Sequence, residues 1–297
     1  PGSNDFSNVQ DAIFSNVGFN KKGNQFQLQW RELMLPNSLE KNQSLAFQTE
    51  GKFEKWKGAV SGQWFQQSTS GKTPKRDFTY LPVAPGLGTH QWNDYNRNGV
   101  QELNEFELAV FNDQARYVKV YLPTNEFIKS NSNEFNQTVR IQAPSAWQTS
   151  TAFKRFFSKF NSITSYRADR KITDNSLLMI VNPFQLNVSD SSLIAVNSLI
   201  KQTTFFNRSN SKFGLEHTIQ TNKGKQFLNS GFEWKQNDKQ QLISRFGFSK
   251  RINFVVDAEV SRKQNRNGFF ENRNYNYNSK ILRPELFYQT LRGMRFG

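Results

Sequence analysis

Ile252-Asn-Phe-Val-Val-Asp-Ala-Glu-Val260 decides the fold class. Its even positions hold Ile252, Phe254, Val256, Ala258 and Val260, while Asn253, Asp257 and Glu259 fall on odd positions. Successive side chains of a strand point to opposite faces, so this is a ribbon with one apolar side and one polar side. Phe26, Leu28 and Trp30 alternate with Gln25, Gln27, Gln29 and Arg31 in the same way. Trp56, Val60 and Trp64 repeat the pattern with Gly58 and Gly62 between them. Further candidate strands run near 133–142, 151–169, 199–208, 213–221, 227–235, 242–249 and 281–292. That makes about a dozen, most of them comparable to the ~9–11 residues that a tilted membrane strand needs.

Between the later strands the connections are short. Asn222-Lys-Gly224 and Gln236-Asn-Asp-Lys239 read as turns, since Asn, Asp and Gly tolerate left-handed backbone. Lys250-Arg251 leaves almost nothing between two strands, and Asn265-Arg-Asn-Gly268 ends in a glycine suited to positive φ. A parallel crossover takes a dozen or more residues, so tight links require antiparallel neighbours. The expected fold is all-β, an antiparallel up-and-down meander forming a single domain over 1–297. From about 81 to 129 the alternation breaks at Pro82, Pro85, Gly86, Gly88 and Gly99, then resumes past Pro123, so this region reads as an insertion.

Composition removes several functions. The chain has 297 residues, a formal charge of +15, 36% apolar residues, 29 Phe and no Cys. No stretch approaches the roughly 18 apolar residues of a spanning helix. Without Cys there is no disulfide framework, zinc–thiolate site or thiol nucleophile. His90 and His217 have no metal-ligand spacing, and neither GxSxG nor HExxH occurs. The opening Pro1-Gly2-Ser3 is polar and unlike a signal peptide, which leaves targeting unreadable from this end. Lys and Arg are scattered and no nucleic-acid-binding motif occurs, so nucleic acid is not the expected partner. The acid pairs Glu105/Glu107 and Asp257/Glu259 carry no mechanism by themselves, and no enzyme is expected.

One motif carries chemistry. Asp94-Tyr-Asn96-Arg-Asn98-Gly99-Val100-Gln-Glu102-Leu-Asn-Glu105 resembles the calcium loop of the EF-hand family, D-x-[DN]-x-[DN]-G-x5-E, at every specified position. A hard cation wants six to eight oxygens at ~2.3–2.6 Å, and a tight loop turns alternate side chains inward. The resemblance implies side-chain oxygens from Asp94, Asn96 and Asn98, the carbonyl of Val100, and Glu102 directly or through water. Glu105 would give both carboxylate oxygens, and Gly99 would take the sharp turn. Leu103, Phe106 and Val110 fall at helical spacing, so an exiting helix from about Leu103 is expected. Pro82, Pro85, Gly86 and Gly88 argue against an incoming helix. With no second copy of the motif, the loop reads as a structural Ca2+ clamp and not a sensor.

Long strands, very short late turns, polar faces rich in Asn, Gln, Ser, Lys and Arg, and one long excursion together fit an outer-membrane β-barrel or a fragment of one. Lipid of that membrane is the expected partner, and the role is structural or transport-related. Phe156-Phe157, Phe205-Phe206 and Phe269-Phe270 are candidates for an interfacial girdle. The alternative is a soluble, secreted β-sheet module binding glycan or a protein partner, with the Phe and Trp stripes as its core. Gly86 to Glu107, Tyr117-Val-Lys-Val-Tyr-Leu-Pro-Thr-Asn125 and Asn274-Tyr-Asn-Tyr-Asn-Ser-Lys-Ile-Leu-Arg-Pro-Glu-Leu-Phe-Tyr288 resemble segments of large surface proteins of Bacteroidetes. That resemblance implies the outer membrane or cell surface as location, and as partners the remainder of a larger barrel or other envelope proteins.

Overall fold

A computed structural model of the chain describes residues 11–21, 24–34, 44–173, 176, 179–180, 182–249, 251–268, 273–289 and 295–296. The protein is all-β: one antiparallel sheet in which sequence neighbours are spatial neighbours. Its strands are β1 (Asp11–Lys21), β2 (Asn24–Met34), β3 (Ser44–Lys55), β4 (Val60–Pro82), β5 (His90–Trp92), β6 (Phe106–Leu108) and β7 (Tyr117–Gln142). They continue with β8 (Phe160–Ile172), β9 (Leu193–Phe206), β10 (Phe213–Leu228), β11 (Gly231–Gly247), β12 (Ile252–Asn267), β13 (Tyr275–Gln289) and β14 (Arg295–Phe296). Strands β5 and β6 form a side hairpin off the main path, and β4 lies directly beside β7. Among the described residues no ladder joins β1 to β14, so the expected barrel closure is not present and the sheet is open.

Several boundaries differ from those expected. Asn222-Lys-Gly224 and Gln236-Asn-Asp-Lys239 are not turns: they face each other mid-ladder, with Asn222 opposite Asn237 and Gly224 opposite Lys235. The chain reverses instead at Asn229-Ser230, where Gly231 takes φ +87°. Turn propensity is local, whereas a long ladder with solvated faces carries Asn and Gly along with it. Residues 56–59 form a turn before β4, and β12 runs on through Asn265 to Asn267. The stretch 151–169 opens with a short helix, α1 (Ala152–Phe157), before β8 begins. The departure from the main ladder is also narrower than 81–129, because Leu81 and Pro82 pair with Val118 and Tyr117. Residues 290–292 and Phe269-Phe270 lie outside the described residues.

The two faces follow from the register. Leu242, Ala258 and Leu282 are cross-strand partners, as are Phe246, Phe254 and Leu286. With Phe213, Ile219, Ile200 and Phe206 they make one apolar face near the ends of the strands joined by 56–59, 143–159, 207–212 and 248–251. This face is not a core. Leu242 is 42% exposed and Leu282 67% exposed, and Ile141, Ile200, Val260 and Leu286 are exposed too. On β12 the apolar run from Ile252 to Val260 spans about 26 Å at ~3.3 Å per residue. Beyond it the same face turns polar with Arg262, Gln264 and Arg266.

The opposite face is polar and more enclosed. Thr203, Thr218, Glu233, Ser261, Asn265 and Asn267 are buried there, and Thr203 and Thr218 share a 3.1 Å hydroxyl hydrogen bond. Asp257 pairs with Arg283 at 2.9 Å and Glu259 with Lys239 at 2.8 Å, an ordinary role for two carboxylates at strand spacing. Gln67 and Thr69 of β4 line one hollow of about 750 Å³ together with Lys263 of β12 and Tyr275 of β13. In a flat sheet β4 and β13 would lie about 34 Å apart at ~4.8 Å per strand, so a shared hollow requires the sheet to curl towards its polar side. Among the described residues the one cluster of buried apolar side chains is small. Ile172, Val188 and Leu193 pack with Met179, Val196 and Phe232, where the connection after β8 folds back over the far end of the face that carries Leu242, since Val196 and Phe232 share its register. There the buried Arg170 donates to the carbonyls of Met179, Asn182 and Gln185.

Candidate metal centre

The motif at 94–105 sits between β5 and β6. These strands pair His90 with Leu108, Gln91 with Glu107 and Trp92 with Phe106, and the Asn93 N–H donates to the Glu105 carbonyl at 3.0 Å. The ladder thus brings the first and last residues of the loop together. Antiparallel pairing, and not a pair of helices, supplies the closure. The expected exiting helix is absent: a single 3-10 turn, Leu103–Glu105, leads into β6. Phe106 and Leu108 have cross-strand partners to meet, and that pairing outweighs three apolar residues at helical spacing.

The hairpin is fixed to the sheet by backbone and by rings. Gly88 N–H donates to the Ala115 carbonyl at 2.9 Å, Thr89 N–H to Tyr117 at 2.8 Å and Arg116 N–H to His90 at 3.0 Å. A Cβ on Gly88 would lie 2.7 Å from Ala115 O, Tyr117 N and Tyr117 O, so only glycine permits this approach. Phe106 stacks on Tyr80 with centroids 4.1 Å apart and meets Tyr117 edge-on at 5.0 Å. His90 packs edge-on against Tyr80 at 5.0 Å, and burial, then the nearby Lys119 ammonium, hold its imidazole below the usual histidine range.

Inside the loop the carboxylate of Asp94 accepts the N–H groups of Asn98 at 3.1 Å and Gly99 at 2.8 Å. Asn96 Oδ1 accepts from Asn98 N–H at 3.0 Å, and Asn98 Oδ1 from Val100 N–H at 2.6 Å. These bonds turn the side-chain oxygens of all three residues back over the loop. Gly99 takes φ +72° and Arg97 φ +60°, which is the backbone reversal expected at the glycine. Asn96 Nδ2 and Asn98 Nδ2 both donate to Glu102, at 3.2 and 3.3 Å.

Glu105 is the unusual member. It is 2% exposed, and its Oε2 accepts from Trp92 Nε1 at 2.9 Å and Glu102 N–H at 3.4 Å. Its Oε1 is buried without a hydrogen-bond partner. A buried carboxylate oxygen left unpaired is costly, and a bound cation removes that cost. Among the described residues no three Asp, Glu, His or Cys side chains gather closely enough to hold a metal by themselves. The oxygens that could serve a cation here are mixed: carboxylates of Asp94, Glu102 and Glu105, amides of Asn96 and Asn98, and the main-chain carbonyl of Val100. All are oxygens, which suits a hard divalent ion.

Two residues outside the motif brace the loop: Trp92, which sequence spacing did not single out, and Glu107, which it offered only as half of an acid pair without a role. Trp92 braces Glu105, as above. Glu107 accepts from Gln91 Nε2 at 2.7 Å, Tyr95 hydroxyl at 2.9 Å and Asn93 Nδ2. The pairing of β5 with β6 is the signal that would have found both. The Gln91 bond, followed by those from Tyr95 and Asn93, holds the Glu107 carboxyl below the usual carboxylate range. A lowered folded-state pKa means stability present at neutral pH and lost as pH falls through the carboxylate range. Acid should therefore loosen the 90–108 hairpin. Hydrogen exchange across an acid series is the check: Glu107→Gln should abolish the acid-linked rise in exchange at Asn93 and Tyr95 and leave β10–β12 unaffected.

No protein-family model matches the chain, and no curated protein or solved structure is significantly similar to it. The fold and the loop therefore carry the functional reading by themselves.

Proposed function

We propose that this chain forms part of the wall of an outer-membrane β-barrel, with a structural or transport role, and that the loop at 94–105 is a calcium clamp on its surface. The observation that carries the reading is the inverted polarity of the sheet. Thr203, Thr218, Glu233 and Ser261 are buried on one face while Ile200, Leu242, Val260 and Leu282 are exposed on the other. A water-soluble protein seldom leaves so many large apolar side chains uncovered on one face of a sheet. In a bilayer those side chains face hydrocarbon and the polar face lines a wet interior.

Most connections agree with this reading. At the apolar end 56–59, 207–212 and 248–251 are short and 143–159 is long; at the opposite strand ends the hairpin at 90–108 and the segment 182–192 are long and 229–230 is a tight reversal. Barrels collect short turns on one side and long loops on the other. Closure of the open sheet then needs further strands, from a longer chain or from a partner.

Purification without amphiphile tests the proposal. The chain should aggregate in buffer alone and become monodisperse in detergent micelles, as read by size exclusion with light scattering. Monodispersity in plain buffer would favour the soluble secreted module instead.

A further inference from the structure

The turn end of the sheet carries two chemistries side by side. The first is positive charge. The connections 56–59, 143–159, 207–212 and 248–251 contain Lys57, Lys154, Arg155, Lys159, Arg208, Lys212 and Arg251 and not one Asp or Glu. Lys57, Arg155, Lys159 and Arg208 line a single hollow of about 500 Å³ with Asn161 and Asn207, and no carboxylate lines it. Among the described residues none of these four cations is in an ion pair. Glu54, at the end of β3, approaches Gly58 beside the hollow and is the carboxylate to be reckoned with there.

The second chemistry is aromatic. Helix α1 presents Phe153 at 72%, Phe156 at 49% and Phe157 at 42% exposure. Its rings continue into the sheet: Phe156 meets Phe160 at 5.5 Å, Phe160 meets Phe206 at 4.9 Å, and Phe213 meets Phe246 at 5.3 Å. Phe246 meets Phe254 at 6.4 Å, so a row of phenyl rings crosses five strands at one level. Phe206 belongs to this row, whereas Phe205 is buried on the opposite face beneath the Arg208 guanidinium at 4.4 Å. Trp56, 75% exposed, stands in the adjoining turn, which Gln142 holds through hydrogen bonds to Ala59 O at 2.8 Å and Gly58 O at 3.3 Å.

We infer that this end is a docking surface for anionic phospholipid headgroups, with a phosphate in the hollow of Lys57, Arg155, Lys159 and Arg208 and the phenyl rings of α1 at the acyl boundary. Guanidinium and ammonium groups without carboxylate partners fit phosphate. A free phosphate would have no use for the exposed phenyl rings, whereas a phospholipid carries phosphate and acyl chain together. The inference rests on the membrane reading and adds an orientation to it. The basic turns lie at one headgroup layer, and the 94–105 loop projects from the other side.

The chain has no Cys, so single labels are unambiguous. In phosphatidylcholine discs with added phosphatidylglycerol, a fluorophore on Phe156→Cys should be quenched by a headgroup spin label and not by a mid-chain one. A fluorophore on Leu242→Cys should show the reverse. Arg155→Gln with Lys159→Gln and Arg208→Gln should reduce the preference for phosphatidylglycerol over phosphatidylcholine by about a hundredfold. Phe153→Ser with Phe157→Ser should weaken quenching at position 156 while the Leu242 signal persists. If position 242 is quenched mid-chain but 156 reports only water, the docking inference falls and the membrane reading stands. If position 242 is not quenched, both fall. Saturation by inorganic phosphate, with no lipid preference, would make the hollow a soluble-anion site and overturn the phospholipid assignment.

Discussion

Calcium should raise the thermal transition of the native chain, and Asp94→Ala combined with Glu105→Ala should remove the response. A ligand bound only to the native state stabilises by mass action, about 2.7 kcal/mol when its concentration is 100 times Kd. The shift should be read by calorimetry with calcium against chelator, and binding by titration calorimetry. Glu105→Gln separates a cation site from a merely structural carboxylate. With Oε1 buried and unpartnered, neutralising the side chain relieves a desolvated charge when calcium is absent. The variant should therefore be at least as stable as the native chain in chelator, yet show no calcium response. If Glu105 were only a partner for Trp92 and the Glu102 N–H, the same change would weaken charge-assisted bonds and lower stability with or without calcium.

The largest effect expected on the sheet comes from placing a cation on its apolar face. Leu242→Arg and Leu282→Arg should each cost about 2–4 kcal/mol in lipid, the penalty for Arg near the midplane on the lipid side of a barrel. Val260→Arg should cost less, because Val260 lies at the border of the band, opposite Lys280. Lys201→Gln, next along β9 from Ile200 but on the polar face, should change stability by less than about 0.5 kcal/mol. Urea unfolding in vesicles measures all four. In a soluble protein Leu242 and Leu282 are simply exposed surface positions, and Arg there would be nearly neutral. Equal, small effects across the series would end the membrane reading.

The fold class was legible because period two is a local signal. Ile252 to Val260 alternates along a single strand, and β9 to β13 follow as a meander, as short connections demand. Strand ends were less legible. Asn222-Lys-Gly224 has the composition of a turn, but whether a ladder continues depends on the partner opposite, here Lys235 to Asn237. Likewise Leu103, Phe106 and Val110 carry a helical spacing that lost to the pairing of Phe106 with Trp92.

Within the loop, the sequence by itself determined which oxygens are on offer and where the backbone must reverse: Asp94, Asn96, Asn98 and Glu105 by type and spacing, Gly99 by its freedom at positive φ. Tertiary structure alone decided that Glu105 is enclosed beneath Trp92 with one oxygen unmatched, and that Glu107 braces the hairpin, since both depend on contacts across β5 and β6. It also decided which side of β9 to β12 is the more enclosed. Alternation states that two sides differ, but only the curl of the assembled sheet makes the polar side the inner one.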